Sequence, residues 1–370
     1  MIDITWIVVC CFLGLSLLYL TYEQITIKKV RNKIKILIHV NGTRGKSTVC
    51  RMIDAIMREA GYKTFTKTTG TLPMIIHPDG EVTQIKRLGR ANIREQITMI
   101  REAVKEEAEI VILECMAVDP HLQWLSERMI LHADINVITN ARHDHICEMG
   151  STIEAIVAAL ANTIPEGKIM VTADAPNFAL WEMEAQKRNA KCVLIEADFT
   201  PNQFTFLEQN ASLAEKTASI LGINHEIASA GLKKYLPDPG AFQFIEIGPL
   251  TFVNAMSAND PDSTRVLYQD VARRFPHTNI TLLVNNRADR PERTKQNIAL
   301  IQELHPVKVW ITGDNTHYVY RAIKGITDAR FYNHFDDLSD ETVVFAFGNI
   351  AITGFKILNE ALARRNTYGH

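Results

Sequence analysis

The residues from Ile34 to Thr48, Ile-Lys-Ile-Leu-Ile-His-Val-Asn-Gly-Thr-Arg-Gly-Lys-Ser-Thr, constrain this chain more than any other stretch. Ile34 to Val40 is an apolar run, mostly Ile, Leu and Val, which is the pattern of a strand covered on both faces. It breaks at Asn41-Gly42 and turns again at Gly45. It then resumes as a helix in which Val49, Met52, Ile53, Ile56 and Met57 recur at helical spacing. A strand, a glycine turn and a helix opening with Lys46-Ser47 make a phosphate site. Loop N–H groups converge on an anion, the helix dipole and the Lys46 ammonium add positive charge, and the Ser47 hydroxyl can hold Mg²⁺. The usual phosphate loop wants a glycine five positions before Gly45, where this chain has Val40, so Gly42 to Ser47 is a shorter form.

The N-terminus carries a second signal. Ile4 to Tyr22 is a run of 19 residues without a charge, bounded by Asp3 and Glu23. As a helix it would be about 28 Å long, close to the hydrocarbon thickness of a bilayer. Trp6, Tyr19 and Tyr22 stand near its ends, and Lys28, Lys29, Arg31, Lys33 and Lys35 follow it, while nothing basic precedes it. Residues 4–22 are therefore expected to be a single-pass anchor in the inner membrane, with the bulk of the chain cytoplasmic. Residues 23–33 are expected to be a basic juxtamembrane linker beside anionic lipid. A cleaved signal peptide lacks support, because there is no basic n-region and no small-residue cleavage site.

At 370 residues the chain is long enough for two domains. Its 40 basic and 42 acidic side chains leave a formal charge of −2, so nothing points to a nucleic-acid partner. Six cysteines show no C-x-x-C pair and read as reduced thiols. After the phosphate-loop helix, residues 63–67 form a short strand leading into a small polar loop at Thr68–Thr71. That loop either approaches a nucleotide or metal, or is only a turn. Lys86, Arg87, Arg90 and Arg94 make a basic segment, which is either a solvated loop or a contact to an acidic substrate.

Residues 109–115 form a buried strand that puts Glu114 at its C-terminal end, the edge where parallel α/β sheets bind ligands. A carboxylate there is a plausible Mg²⁺ ligand. A third such strand, 134–140, is followed by Asp144-His145. Asn140 could face a base or metal, and His145 a metal or the terminal phosphate. Asn210 opens a helix, where it could be merely an N-cap. Leu236-Pro-Asp-Pro-Gly240 is the strongest break. It divides a central α/β domain, 34–238, from a smaller Rossmann-like α/β domain, 239–370. In the second domain polar clusters follow the strands.

These residues spell a family resemblance. Gly42 to Ser47, Glu114, Asn140-x-x-x-Asp144-His145 and Asn210-Ala-Ser-Leu-Ala resemble the ATP-dependent Mur ligases and folylpolyglutamate synthetases. Ala258-Asn-Asp-Pro-Asp-Ser263 is similar to the A-H-N-P-x-S stretch that opens the C-terminal domain of the synthetases. The narrower resemblance is to the membrane-associated ligase subunit of bacterial poly-γ-glutamate synthases. It is carried by the N-terminal span, Lys67–Thr71, Glu114–Val118, Pro237–Gly240 and Arg287–Arg290. The resemblance implies an α/β Mur-ligase-like fold and an ADP-forming ligase. Such an enzyme activates a terminal γ-carboxylate with Mg-ATP as an acyl phosphate and couples it to the amine of glutamate, extending a poly-γ-glutamate chain.

By the same resemblance Gly42, Thr43, Arg44, Gly45, Lys46, Ser47 and Thr48 would cradle the phosphates, with Ser47 and Glu114 on Mg²⁺. His145 would serve a second metal, with Lys46, Glu114 and His145 as the catalytic set. Asn140 and Asn210 would belong to the nucleotide or metal shell, and Asn259, Asp260 and Asp262 would face the nucleotide or the incoming amino acid. Further membrane subunits would be partners. Two departures stand out. Family members often carry a carbamylated lysine after the Asp-His histidine, and Ile156–Asn162 has no lysine; Asn259 replaces the A-H-N-P histidine. Two other readings remain beside this one: a ligase adding glutamate to another small acceptor, which needs no anchor, and a nucleotide-binding assembly subunit without catalysis, which Glu114 and His145 oppose.

Overall fold

The computed structural model describes residues 4–70, 73–87, 89, 91–195, 206–238, 240–258 and 260–368. The chain forms two compact units, Met1–Leu236 and Pro237–His370. The first is built on an eight-stranded sheet with β1 (Ile36–Asn41), β2 (Thr64–Thr68), β3 (Met74–Ile76), β4 (Val82–Gln84), β5 (Ile110–Glu114), β6 (Ile135–Ile138), β7 (Ile169–Thr172) and β8 (Lys191–Leu194). Their order is β4-β3-β2-β5-β1-β6-β7-β8. The six strands from β2 to β8 in that order all run parallel, and β3 and β4 add an antiparallel edge.

Both faces of this sheet are covered, which explains why β1 and β5 are continuous apolar runs rather than alternating ones. On one face α2 (Lys46–Glu59) presents Val49, Met52, Ile53, Ile56 and Met57, packed with Leu213, Ala214 and Ala218 of the helix Phe206–Ile220. On the other, α3 (Glu95–Lys105) contributes Ile97, Met99, Ile100 and Ala103, joined by Ile130 and Leu131 of a π-helical stretch, Ser126–Leu131.

The N-terminal helix α1 runs unbroken from Ile4 to Arg31. Its segment Val8–Arg31 is long and apolar enough to cross a membrane, and Phe12, Leu13, Leu15, Leu17 and Leu18 are exposed. Its last turns behave differently. Glu23, Ile27 and Arg31 recur every fourth residue on one stripe, and all three are buried. The Arg31 guanidinium donates to the carbonyls of Leu131 (2.6 Å), His132 (2.9 Å) and Ile34 (3.2 Å) and bridges to Asp134 at 2.6 Å. Residues 23–33, expected as a basic linker beside lipid, instead largely continue the helix, and Arg31 is spent inside the protein.

Deleting residues 1–22 should therefore leave a folded chain. Deleting 1–33 should cost about 3 kcal/mol more in unfolding free energy, because it takes the buried guanidinium from Asp134 and from the carbonyls of Leu131 and His132, leaving Asp134 only the exposed Lys168 as a cation. Denaturant unfolding of the two truncations measures the difference, and equal midpoints would contradict the docking.

The second unit carries a six-stranded sheet of β9 (Gln243–Ile247), β10 (Leu250–Asn254), β11 (Ile280–Asn286), β12 (Lys308–Gly313), β13 (Asp328–Phe331) and β14 (Val343–Gly348), in the order β13-β12-β11-β14-β10-β9. All pairings are parallel except that of β9, which lies antiparallel at one edge. The core lies around Phe252, Leu283, Val344, Ala346 and Leu358.

Candidate phosphate and metal site

β1 is the central strand, and the parallel register sets Val40 beside Glu114 and Asn41 beside Ile138. The loop from Gly42 to Gly45 therefore leaves the sheet between the C-terminal ends of β5 and β6, the edge where ligands bind in such sheets. Both glycines have positive φ, +123° at Gly42 and +89° at Gly45, which other residues rarely adopt. At Gly42 space is limiting as well, since a Cβ would lie 2.1 Å from Thr139 Oγ1 and 2.9 Å from the Thr139 nitrogen. Gly42→Ala is expected to cost about 1–3 kcal/mol in stability, read as a fall in melting temperature, and to displace the loop. A wild-type melting curve would contradict this geometry.

Two backbone donors of the loop are taken up within the protein. The Thr43 N–H goes to the Asn140 carbonyl (2.9 Å) and the Arg44 N–H to Asn140 Oδ1 (3.2 Å). The Asn140 amide returns a bond to the Arg44 carbonyl (3.1 Å), and the Thr43 hydroxyl accepts from the Arg142 N–H (3.0 Å). Among the described residues the N–H groups of Gly45, Lys46, Ser47 and Thr48 meet no protein acceptor, and all lie at the first turn of α2. These are the orphan donors of a helix start, and with the dipole they form an anion cradle. The Lys46 ammonium is folded back onto the carbonyls of Gly42 (2.7 Å) and Thr43 (3.2 Å).

Glu114 is buried and takes two hydrogen bonds on one oxygen, Oε2. Ser47 Oγ donates at 2.7 Å and the Thr69 N–H at 2.6 Å. Among the described residues no hydrogen bond reaches Oε1. A serine hydroxyl against a carboxylate at a helix start is a set of hard oxygen donors that fits a divalent cation of the magnesium type. On the other side of the loop Arg44 pairs with Asp144 at 3.0 Å, and Asp144 lies 3.8 Å from His145 Nε2. His145 has φ +49°, stands at the start of the short helix Ile146–Met149 and is partly exposed. Contacts thus run continuously from Glu114 through Ser47 and the loop to Arg44, Asp144 and His145.

Several expectations change. Asn140 does not reach out toward a base or metal, because its amide is committed to the backbone of Arg44 and braces the loop. Thr43 and Arg44 likewise lend their N–H groups to that brace, so the cradle is narrower than Gly42 to Thr48. Asn210 is not an N-cap: its helix is already formed at Phe206, and Asn210 shares a buried face with Leu213 and Ala214. Its Nδ2 is buried and meets no partner among the described residues, so the amide still has a donor to offer.

In the second unit Asp260 caps the helix Pro261–Arg274 by accepting the Ser263 N–H at 2.8 Å, and Asp262 is exposed and paired with Arg265. Neither geometry points to a ligand. Asn259 and Thr71 lie outside the described residues. Within the basic segment Arg87 holds Glu95 at 2.7 Å and Arg94 holds Glu23, Lys86 is exposed, and Arg90 lies outside the described residues.

Sequence reasoning missed two buried polar sets. His39 of β1 pairs with Glu127 at 2.9 Å on the far face of the sheet. Burial pushes its imidazole toward neutrality, but Cys115 and Glu127 beside it outweigh that and raise its pKa to about 9. The second set gathers around the buried Lys67 and Gln96. A lysine in a short polar strand carries no signal of burial.

Residues 40–231 match the family profile described as the Mur ligase middle domain. The central unit is therefore a Mur ligase middle domain, the nucleotide-binding unit of a class of ATP-dependent amide ligases. Residues 242–365 match the poly-gamma-glutamate synthase CapB C-terminal domain. The chain is 35% identical over 310 residues to the capsule biosynthesis protein CapB of Bacillus anthracis, covering 80% of this chain and 66% of that one. It is 37% identical over 276 residues to the PGA synthase CapB of Bacillus subtilis strain 168, covering 71% of this chain and 70% of that one. It thus spans just under two thirds of the first relative and slightly more of the second. This chain belongs to the poly-γ-glutamate synthase CapB family. The fold is shared with the folylpolyglutamate synthase/dihydrofolate synthase of Yersinia pestis complexed with AMPPNP and Mn, at 18% identity, TM-score 0.65, and 95% and 97% coverage.

Proposed function

We propose that this chain is an ATP-dependent ligase that extends poly-γ-glutamate at the inner face of the cell membrane, anchored by α1. The observation that carries the reading is the four unpartnered N–H groups of Gly45 to Thr48 beside the Ser47–Glu114 pair. That arrangement supports nucleotide phosphates at the helix start and a divalent cation, Mg²⁺, which Ser47 and Glu114 would hold. The solved relative of the same fold was captured with AMPPNP and Mn, which supports a nucleotide and a divalent metal here. The cation would supply charge to the β- and γ-phosphates.

The residues divide the work. The loop N–H groups hold the β- and γ-phosphate oxygens, and the Lys46 ammonium leaves the Gly42 and Thr43 carbonyls to meet the γ-phosphate. The terminal γ-carboxylate of the acceptor attacks γ-phosphorus, the bond to ADP breaks, and an acyl phosphate forms. The amine of glutamate then attacks the acyl carbon, inorganic phosphate leaves, and the amine gives up a proton. His145, half-open to solvent beside Asp144, would serve a second cation or the acyl phosphate. Asn210 offers its unpartnered amide to the nucleotide. Small membrane subunits would complete a polymer synthase.

The test uses the full chain in detergent with Mg-ATP and a panel of acceptors and amino acids. ADP release that needs both a γ-linked glutamate oligomer and glutamate, with product lengthened by one residue, supports the reading. ADP release driven by glutamate and an unrelated small acceptor supports the second ligase reading. Nucleotide binding without turnover for any pair marks an assembly subunit.

A further inference from the structure

Behind Glu114 lies a layer of charge that the chemistry above does not use. Lys67, near the end of β2, is fully buried, a rare state for a lysine. Its ammonium bridges to Glu95 at 2.8 Å, donates to Gln96 Oε1 at 3.3 Å and lies 3.4 Å from the Met116 sulfur. Gln96, also fully buried, donates through Nε2 to the main-chain carbonyl of Glu114 at 3.3 Å. The parallel register sets Lys67 beside Leu113, the residue before Glu114. Two residues after Lys67, the Thr69 N–H binds Glu114 Oε2. Lys67 therefore reaches the backbone that carries that carboxylate through Gln96, and it stands two residues before the turn whose N–H grips its oxygen.

Burying an ammonium is costly, and an apolar side chain would fill the same space without that cost. Charge balance on Glu95 does not require Lys67, because Arg87, beyond β4, already holds both carboxylate oxygens at 2.7 and 2.9 Å. What Arg87 lacks is any link to Gln96 or to the Thr68–Thr69 turn. We infer that Lys67, acting through Gln96 and that turn, is a positioning residue that fixes Glu114 in the orientation a divalent cation requires. The inference rests on the proposed metal role of Glu114. Outer supports of this kind hold a ligand's rotamer, and their loss costs roughly 10–100-fold in metal affinity.

The test compares Lys67→Met with Arg87→Met, each of which leaves Glu95 one cation. Mn²⁺ binding to the full chain in the presence of a non-hydrolysable ATP analogue is read by electron paramagnetic resonance, alongside thermal melting and the metal dependence of turnover. Lys67→Met is expected to weaken Mn²⁺ binding about 10–100-fold and to raise the metal concentration needed for half-maximal rate. Arg87→Met should keep wild-type metal affinity whatever it does to stability. Should Lys67→Met fail to fold, Gln96→Leu, which keeps the Lys67–Glu95 bridge, is expected to weaken Mn²⁺ binding in the same direction. Equal metal affinity in the wild type and the folded variants would overturn the inference. Failure of the underlying reading looks different: Glu114→Gln would then bind Mn²⁺ as tightly as the wild type, and the inference falls with it.

Discussion

Lys46→Ala is expected to lower ADP release by about 10³-fold or more while the melting temperature stays close to that of the wild type. Among the described residues the ammonium hydrogen-bonds only to the carbonyls of Gly42 and Thr43, so its removal exposes no buried charge and opens no cavity in the core. Its loss is felt when the γ-phosphoryl group moves. Charge then spreads over that group's oxygens, and a fixed cation beside them is worth several kcal/mol in a site closed to water. A steady-state assay of ADP release, run with a melting curve, checks both halves. Turnover within about tenfold of wild type would mean that the phosphates do not sit on this loop.

Glu114→Gln should be comparably severe, on the order of 10³-fold, for a different reason. The amide keeps the shape of the side chain and an oxygen for the Ser47 hydroxyl and the Thr69 N–H, which meet on one carboxylate oxygen. It removes the negative charge that draws a divalent cation, and with it several kcal/mol of charge stabilisation. Raising the metal concentration should recover part of the loss in Glu114→Gln and none of it in Lys46→Ala. Identical metal profiles for the two variants would separate Glu114 from the metal.

Much of this was readable from residue types because the constraint is local. A strand buried on both faces, two glycines and Lys46-Ser47 allow few backbones, and the structure has β1 running into a left-handed Gly45 and then α2. Glu114 was readable for a related reason, since an apolar strand ending in a carboxylate has one exposed end in a parallel sheet. Roles decided by distant neighbours were not. Asn140 looks like a ligand until Arg44 is seen to take both its amide groups. Arg31 looks like a lipid contact until the carbonyls of Leu131 and His132, a hundred residues away, are found around it. Lys67 sits in a strand of Thr, Phe and Thr whose composition suits an exposed edge, and only the pairing of β2 with β5 and the β3–β4 hairpin makes it interior. The π-helical turn that supplies Glu127 and the carbonyl for Arg31 has no sequence signature.

The central claim is that ATP held at this loop phosphorylates a carboxylate. Full-length chain incubated with Mg-ATP, a γ-linked glutamate oligomer and hydroxylamine in place of glutamate measures it most directly. The account predicts a γ-glutamyl hydroxamate formed in step with ADP, and none in Lys46→Ala. ADP released by the wild type with no hydroxamate would contradict it.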